Sequence, residues 1–235
     1  MNSRQAKLLS AIIDQFIQTA LPVGSHHILE GGLFPVSGAT IRNEMRALGE
    51  EGLIEQPHTS AGRIPTVKGY RMYVQDFMNP SVHEKAVRKR FDSLREQYFQ
   101  HKDRERVYEA VALLSNMVPN VSFATVPHRG RVIYLGLSNA LKLPEFQGSP
   151  DFVSGIVEVL EKKLVELLAK VTLTDKVQFY IGESHLCKEF ESCSMLVTKY
   201  SVRGEPGAIG ILGPVRMDYA YNTVALDMIA SLVRD

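Results

Sequence analysis

The chain has 235 residues and an almost balanced charge, with 27 Lys and Arg against 26 Asp and Glu, so net charge gives no sign of nucleic-acid binding. A composition of 45% hydrophobic and 23% charged residues is ordinary for a globular protein. No apolar run approaches the roughly 20 residues needed to span a bilayer, and the first ten residues lack the pattern of a secretion signal. We therefore expect a cytoplasmic protein with no membrane partner.

Helical periodicity predicts three helices at the start of the chain. The first covers residues 4–20, with Ser3 available as its N-cap. Ser25 can cap a short second helix over 26–30, which stops at a pair of glycines. Ser37 is the expected cap of the third helix.

A predicted ribbon and a fourth helix complete the N-terminal part. Two short strands, 53–56 and 63–65, flank a turn-rich loop, and Thr66 can cap the helix that follows. Asn79-Pro80 then breaks the chain. The order of helix, short helix, helix and two-stranded ribbon is that of a winged helix-turn-helix, and we assign residues 1–80 to it.

A charge-rich segment over 81–102 is predicted as a helical linker. Its apolar residues Val87, Phe91, Leu94 and Tyr98 are spaced as in a coiled coil, for about two heptads. Two interpretations stay open: a coiled coil between subunits, or a linker helix packed on its own domain.

Residues 103–235 alternate short strands with helices. The predicted helices cover 107–117, 151–170 and 217–233, and the predicted strands cover 121–126, 132–137, 177–181, 194–202 and 208–212. Short strands, tight connections and flanking helices indicate an antiparallel sheet covered by helices. The fold class is therefore α+β.

The third helix carries the most informative pattern. Ile41, Met45 and Leu48 share its apolar face, at about 100° per residue. The opposite face shows Ala39, Asn43, Arg46 and Glu50, flanked by Thr40 and Arg42. An Arg side chain can form two hydrogen bonds with a guanine, and an Asn side chain can form two with an adenine. The pattern fits a recognition helix in the major groove, although a solvated polar face has the same appearance.

The turn-rich loop favours the first of those interpretations. His58, Thr59 and Ser60 surround a small, glycine-containing tip, with Arg63 as its charge. Such a tip suits a minor groove or a phosphate backbone. Ser25, Ser37 and Thr40 could bond phosphates beside helix N-termini.

Other chemistries find little support in the sequence. Cys187 and Cys193 do not form a CxxC pair and are interpreted as incidental thiols. His26 and His27 point about 100° apart on a helix and cannot share a metal ion without other ligands. With no catalytic constellation in view, we expect no enzyme activity, no metal and no cofactor.

Segment 37–78, with the runs ATIRNEM, GLIEQPHTSAGR and PTVKGYRMYV, resembles the DNA-binding domain of the heat-inducible transcription repressor family HrcA. The runs VIYLGLSNALKLPEF and GEPGAIGILGPVRMDYA, at 132–146 and 204–220, are similar to the same family. The resemblance covers most of the chain.

The resemblance implies a repressor of chaperone operons of the groE and dnaK type that binds the CIRCE inverted repeat as a homodimer. It also implies a GAF-like second domain over 103–235, the GroE chaperonin as a partner, and release on heat or folding stress. In the family, an inserted dimerisation domain separates the strands matching 121–126 and 132–137, whereas only 127–131 stand there in this chain. We therefore expect a shortened member, with a second hypothesis of a ligand- or protein-binding regulator that has lost paired operator binding.

Overall fold

The structure is a computed structural model that describes residues 1–98, 106–127, 131–147, 149–202 and 204–234, with side chains in the helix ending at 98 described up to residue 95. The predicted linker residues 99–102, the Tyr98 side chain and the predicted loop residues 128–130 lie outside the described residues. The chain divides into two compact units, Met1–Asn79 and Pro80–Asp235.

The N-terminal unit is built from helices around a short ribbon. Its elements are α1 (Ser3–Thr19), α2 (Ser25–Glu30), α3 (Gly38–Glu50), β1 (Ile54–Glu55), β2 (Ile64–Pro65) and α4 (Val67–Met72), which continues as a π-helical turn (Tyr73–Phe77). β1 and β2 pair antiparallel. Helical spacing places an apolar stripe on α1, and its first four members, Leu8, Leu9, Ile12 and Ile13, are at 0% exposure, while Phe16 and Ile17 are half-buried.

Two of the predicted helix caps are wrong and two are confirmed. Asn2, not Ser3, caps α1. The Asn2 side chain accepts the Gln5 backbone N–H, and the Gln5 side chain accepts the Asn2 backbone N–H. Gly24, not Ser25, precedes α2, so Ser25 is the first helical residue. Ser37 and Thr66 cap α3 and α4 as predicted.

The C-terminal unit opens with a 3₁₀ turn (Pro80–His83) and two helices, α5 (Glu84–Tyr98) and α6 (Arg106–Met117). The elements that follow are β3 (Val121–Val126), β4 (Arg131–Leu135), α7 (Leu137–Ala140), α8 (Pro144–Gln147), α9 (Pro150–Glu158), a π-helical segment (Val159–Lys163), α10 (Leu164–Lys170), β5 (Gln178–Ile181), a 3₁₀ turn (Lys188–Ser192), β6 (Cys193–Val202), β7 (Glu205–Pro214) and α11 (Tyr219–Leu232). The described strands of this unit form one antiparallel sheet in the order β4-β3-β7-β6-β5.

Strand alternation sends side chains to both faces of this sheet, and helices cover both. One face packs Phe123, Met195 and Leu212 into a core with the helical segment 150–170. The other face lies against α6 and α11. The predicted antiparallel sheet covered by helices is confirmed.

Gly210 of β7 allows close contact with the two strands beside it. A Cβ on Gly210 would lie 2.4 Å from the Leu196 carbonyl oxygen and 2.5 Å from Cζ of Phe123. The absent side chain therefore leaves the space that the Phe123 ring occupies on the neighbouring strand.

The connection after β4 differs from the prediction. The predicted strand 132–137 ends at Leu135, because Gly136 adopts a left-handed backbone with φ of 89° and starts α7. A Cβ there would also lie 2.8 Å from the Asn120 carbonyl oxygen. The short helices α7 and α8 were not predicted.

The apolar stripe of α5 is turned into its own unit. Val87 is 0% exposed and Phe91 is 6% exposed, and α5 packs against α6 and α11. Leu94 is partly exposed. Within the described residues, the stripe agrees with a helix packed on its own unit.

Candidate nucleic-acid interface

The first turn of α3 is fixed by its N-cap. Ser37 has an extended backbone, and its Oγ accepts the Thr40 N–H at 3.2 Å. The two hydroxyl oxygens, Ser37 Oγ and Thr40 Oγ1, are also 3.0 Å apart. Two of the three predicted phosphate-binding hydroxyls therefore lie together at the N-terminus of α3, where backbone N–H groups favour anions.

The two faces of α3 divide as the helical spacing predicts. Ile41 and Leu48 are 0% exposed and Met45 is 5% exposed. The opposite face is exposed, and it consists of Ala39, Arg42, Asn43, Arg46 and Glu50, with Thr40 half-buried. The exposed cations and amide come from the first two-thirds of the helix, while Glu50 places a carboxylate at its far end.

Arg42 lies close to the helix start. Its Nη1 is 3.4 Å from the position that a Cβ on Gly38 would occupy, so the guanidinium lies over the first turn of α3. Gly38 and Ala39 present almost no side-chain bulk there. This end of the helix can approach a flat or grooved surface closely.

Glu44 is the residue of α3 that sequence reasoning missed. It is only 8% exposed, and Arg4 of α1 donates to its Oε1 from Nε at 2.9 Å. The carboxylate is thus paired within the unit and does not contribute a bare negative charge to the exposed face. Its position three residues after Ile41 and four before Leu48 was the available signal, because that spacing places it beside the apolar face.

Hydrogen bonds to its own backbone carbonyls hold the loop between β1 and β2. Gln56 Nε2 donates to the carbonyl oxygens of Thr59 and Ala61, each at 2.9 Å, and Ala61 N–H donates to the His58 carbonyl at 2.8 Å. His58, Thr59 and Ser60 are exposed. The predicted tip residues therefore form a compact, internally braced projection.

Arg63 is at the base of this loop and not at its tip. Its backbone pairs with Val23 through hydrogen bonds of 2.8 and 2.9 Å. Its Nη1 lies 3.6 Å from where a Cβ on Gly49 would be, in the last turn of α3. A cation there is favoured by the negative end of the helix dipole. Gly62 permits this pairing, since a Cβ would lie 2.6 Å from the Val23 carbonyl.

Ser25 and the neighbouring histidines lie in the first turn of α2. Ser25 is half-buried at the start of α2. His27 Nδ1 accepts the Gly24 N–H at 3.4 Å, and His26 Nδ1 lies 3.3 Å from a Glu30 oxygen. Within the described part of the chain, no three His, Cys, Asp or Glu side chains gather as a metal site would require. None of the described helices is both long and apolar enough to cross a bilayer.

Comparison with known proteins places the chain in a family. The family model described as "HrcA protein C terminal domain" matches residues 72–222. The heat-inducible transcription repressor HrcA of Brevibacillus brevis is 28% identical over 330 aligned positions, which cover 98% of this chain and 96% of that protein. Its namesake in Carboxydothermus hydrogenoformans is 26% identical over 337 positions, covering 100% and 98% of the two chains.

The relatives matched are thus named as transcription repressors. Since the family model spans more than half of the chain, the chain belongs to the HrcA family. A solved structure, described as a hypothetical protein at 2.2 Å resolution, has the same fold, with a TM-score of 0.79, 19% identity, and coverage of 99% of this chain and 96% of that chain.

The alignments also show how the length of this chain compares with that of its relatives. They extend over 330 and 337 positions, although this chain has 235 residues, so they contain long gaps on its side. The chain is a short member of its family.

Proposed function

We propose that the chain is a sequence-specific DNA-binding transcription repressor whose N-terminal unit is a winged helix-turn-helix. α3 is the recognition helix, with Arg42, Asn43 and Arg46 reading bases in the major groove. Ala39 and Thr40 allow close approach of the helix start. The β1–β2 loop, with His58, Thr59 and Ser60, is the wing.

The observation that carries this proposal is the exposed face of α3. An amphipathic helix that only packs on its domain needs no small, unobstructed N-terminus and no guanidinium and amide groups projecting beside it. Membership of a family whose relatives are named as heat-inducible transcription repressors supports the same conclusion. Ser37, whose hydroxyl already caps α3, and Ser25 position the phosphate backbone in this proposal, and Arg63 provides charge at the base of the wing.

The operator in this proposal is the CIRCE inverted repeat of groE- and dnaK-type operons. An inverted repeat calls for a dimer, with two copies of α3 separated by a whole number of helical turns of about 34–36 Å. The C-terminal unit, in this proposal GAF-like, provides the pairing surface and responds to the GroE chaperonin, and heat or folding stress releases the protein from DNA.

Fluorescence anisotropy with a labelled CIRCE-type duplex tests the proposal at physiological salt. A single half-site and a scrambled duplex serve as controls. We expect tight binding only to the full repeat. Equal, weak binding to all three duplexes would contradict sequence-specific repression by a dimer.

A thermal series of the same titration tests release. We expect operator affinity to fall steeply as the temperature rises above the growth temperature. Full affinity retained well above the growth temperature would exclude self-inactivation by heat and leave the chaperonin as the controlling partner.

One observation favours a second candidate, a ligand- or protein-binding regulator without paired operator binding. The chain is short for its family, and Val87 and Phe91 are already buried within their own unit, where they cannot also pair subunits. Analytical ultracentrifugation at high protein concentration separates the two. A persistent monomer favours the second candidate, and a dimer removes its basis.

A further inference from the structure

We infer that the basic outer face of α5 is a second DNA-contacting surface, one that binds phosphates without reading sequence. The inference rests on the proposed function, because its partner is the same duplex that the N-terminal unit binds. It concerns four side chains, here called the α5 basic face: Lys85, Arg88, Lys89 and Arg95.

The geometry of α5 separates these cations from its apolar stripe. Val87 and Phe91 face inward, and all four members of the basic face are exposed. They recur at three-, four- and seven-residue spacings, which keep them on the outer half of the helix. No acidic side chain among the described residues forms an ion pair with any of them.

The acidic groups on the same helix are fewer. By sequence α5 carries five Lys or Arg against three Asp or Glu, and the acidic side chains described there, Glu84 and Asp92, are exposed, so the helix keeps an excess of positive charge. A fifth cation, Arg90, is used internally, because its Nη2 donates to the Asn116 carbonyl of α6 at 2.5 Å. The basic face is therefore left with its charge available to an outside partner.

Charge complementarity and connectivity select DNA as that partner. Residues 1–80 hold seven Lys or Arg and seven Asp or Glu, so the proposed reading unit has no charge excess with which to attract a polyanion. α5 begins only four residues after that unit, beyond the turn Pro80–His83. A connection this short tethers α5 to any duplex that the N-terminal unit holds.

The test compares two charge-matched triple variants of the full chain. The first, Lys85→Gln, Arg88→Gln and Lys89→Gln, removes three charges from the α5 basic face. The second, Lys142→Gln, Lys162→Gln and Lys170→Gln, removes three exposed lysines elsewhere on the same unit. Both change the net charge by the same amount, so a general charge effect cancels between them.

Affinity for operator and for scrambled duplex is measured from low to moderate salt. If each of the three α5 cations meets one phosphate, the slope of log affinity against log salt becomes shallower by about 0.9 per contact, or about 2.7 in all. We expect this change on both duplexes with the first variant, and a wild-type slope with the second. Circular dichroism checks that both variants are folded.

Three results would overturn the inference, and they are distinguishable. If the first variant keeps the wild-type slope while wild type still prefers operator, the inference fails and the proposed function stands. If both variants lose slope equally, the effect is one of net charge and not of α5. If wild type binds no duplex, the proposed function fails and the inference fails with it.

Discussion

Replacing Gly69 by alanine should destabilise the N-terminal unit, because α4 passes directly against a backbone carbonyl at this residue. A Cβ on Gly69 would lie 2.1 Å from the Leu53 carbonyl oxygen and 3.1 Å from its carbon. Ordinary contact begins at 3.4 Å, so the two backbones would have to separate by about 1 Å or more. No side-chain rotation can relieve the overlap.

The carbonyl of Leu53 is poorly placed to retreat. It accepts the Thr66 N–H at 3.1 Å and lies 3.2 Å from Thr66 Oγ1, and the Leu53 side chain is 0% exposed. Overpacking of this kind costs about 1–3 kcal/mol, and a weakened hydrogen bond adds about 1 kcal/mol. We therefore expect Gly69→Ala to lower the free energy of unfolding of this unit by about 2–4 kcal/mol.

Gly49→Ala is the matched control, since Gly49 is also helical and its nearest neighbours are 3.6 and 3.7 Å from an added Cβ. It should stabilise the unit by about 0.5–1 kcal/mol through helix propensity and reduced freedom of the unfolded chain. Urea unfolding followed by circular dichroism gives the free energies. Hydrogen exchange read by mass spectrometry shows whether the loss is confined to residues 1–79. Equal stability of the two variants would refute the steric argument.

Three further changes test other parts of the structure. Arg46→Ala should cost about 1–3 kcal/mol of binding free energy on operator DNA and relax the preference at one base pair. Arg63→Ala should weaken binding to operator and scrambled duplex alike if Arg63 meets only phosphate. If anisotropy shows that both variants lose affinity equally on both duplexes, Arg46 does not read a base. Arg4→Met should lower the free energy of unfolding of the N-terminal unit by about 1–2 kcal/mol, a value discounted because the arginine is half-exposed. Adding Glu44→Gln should recover part of this lost stability in urea unfolding. Additive effects of the two substitutions would show that the pair is not coupled. Burial raises the pKa of Cys193 to about 12. The free energy of unfolding should therefore be unaffected by this thiol below about pH 8.5 and fall above it by up to about 1.4 kcal/mol per pH unit. If Cys193→Ala shows the same fall with pH as wild type, the fall does not come from this thiol.

The apolar pattern of the sequence predicted most of the fold because burial dictates it locally. The stripe of α1 and the apolar face of α3 follow helical spacing, and both are buried where that spacing places them. The two long strands, Cys193–Val202 and Glu205–Pro214, lie in mostly apolar runs bounded by turns. Runs of this kind indicate a buried strand from the local sequence alone.

Other features depend on contacts that no local pattern encodes. Arg4 and Glu44 are 40 residues apart, and only the packing of α1 against α3 brings them together. The predicted caps of α1 and α2 lie one residue too late, since two neighbouring polar or small residues can each serve as N-cap. The backbone conformation decides which of them does. The turn at Gly136 was missed because an apolar run continues through it, while the Asn120 carbonyl leaves no room for a side chain.

The distribution of charge makes the two proposed DNA surfaces complementary. The N-terminal unit is formally neutral, and the proposal directs Arg63 to phosphate while Arg42 and Arg46 read bases, so counterion release at this unit is small. Selectivity without strong affinity is what such a surface would provide on its own. A basic helix joined four residues downstream supplies affinity without selectivity. If both inferences hold, substitutions on α3 change which duplex is preferred, and substitutions on α5 change how steeply every duplex responds to salt.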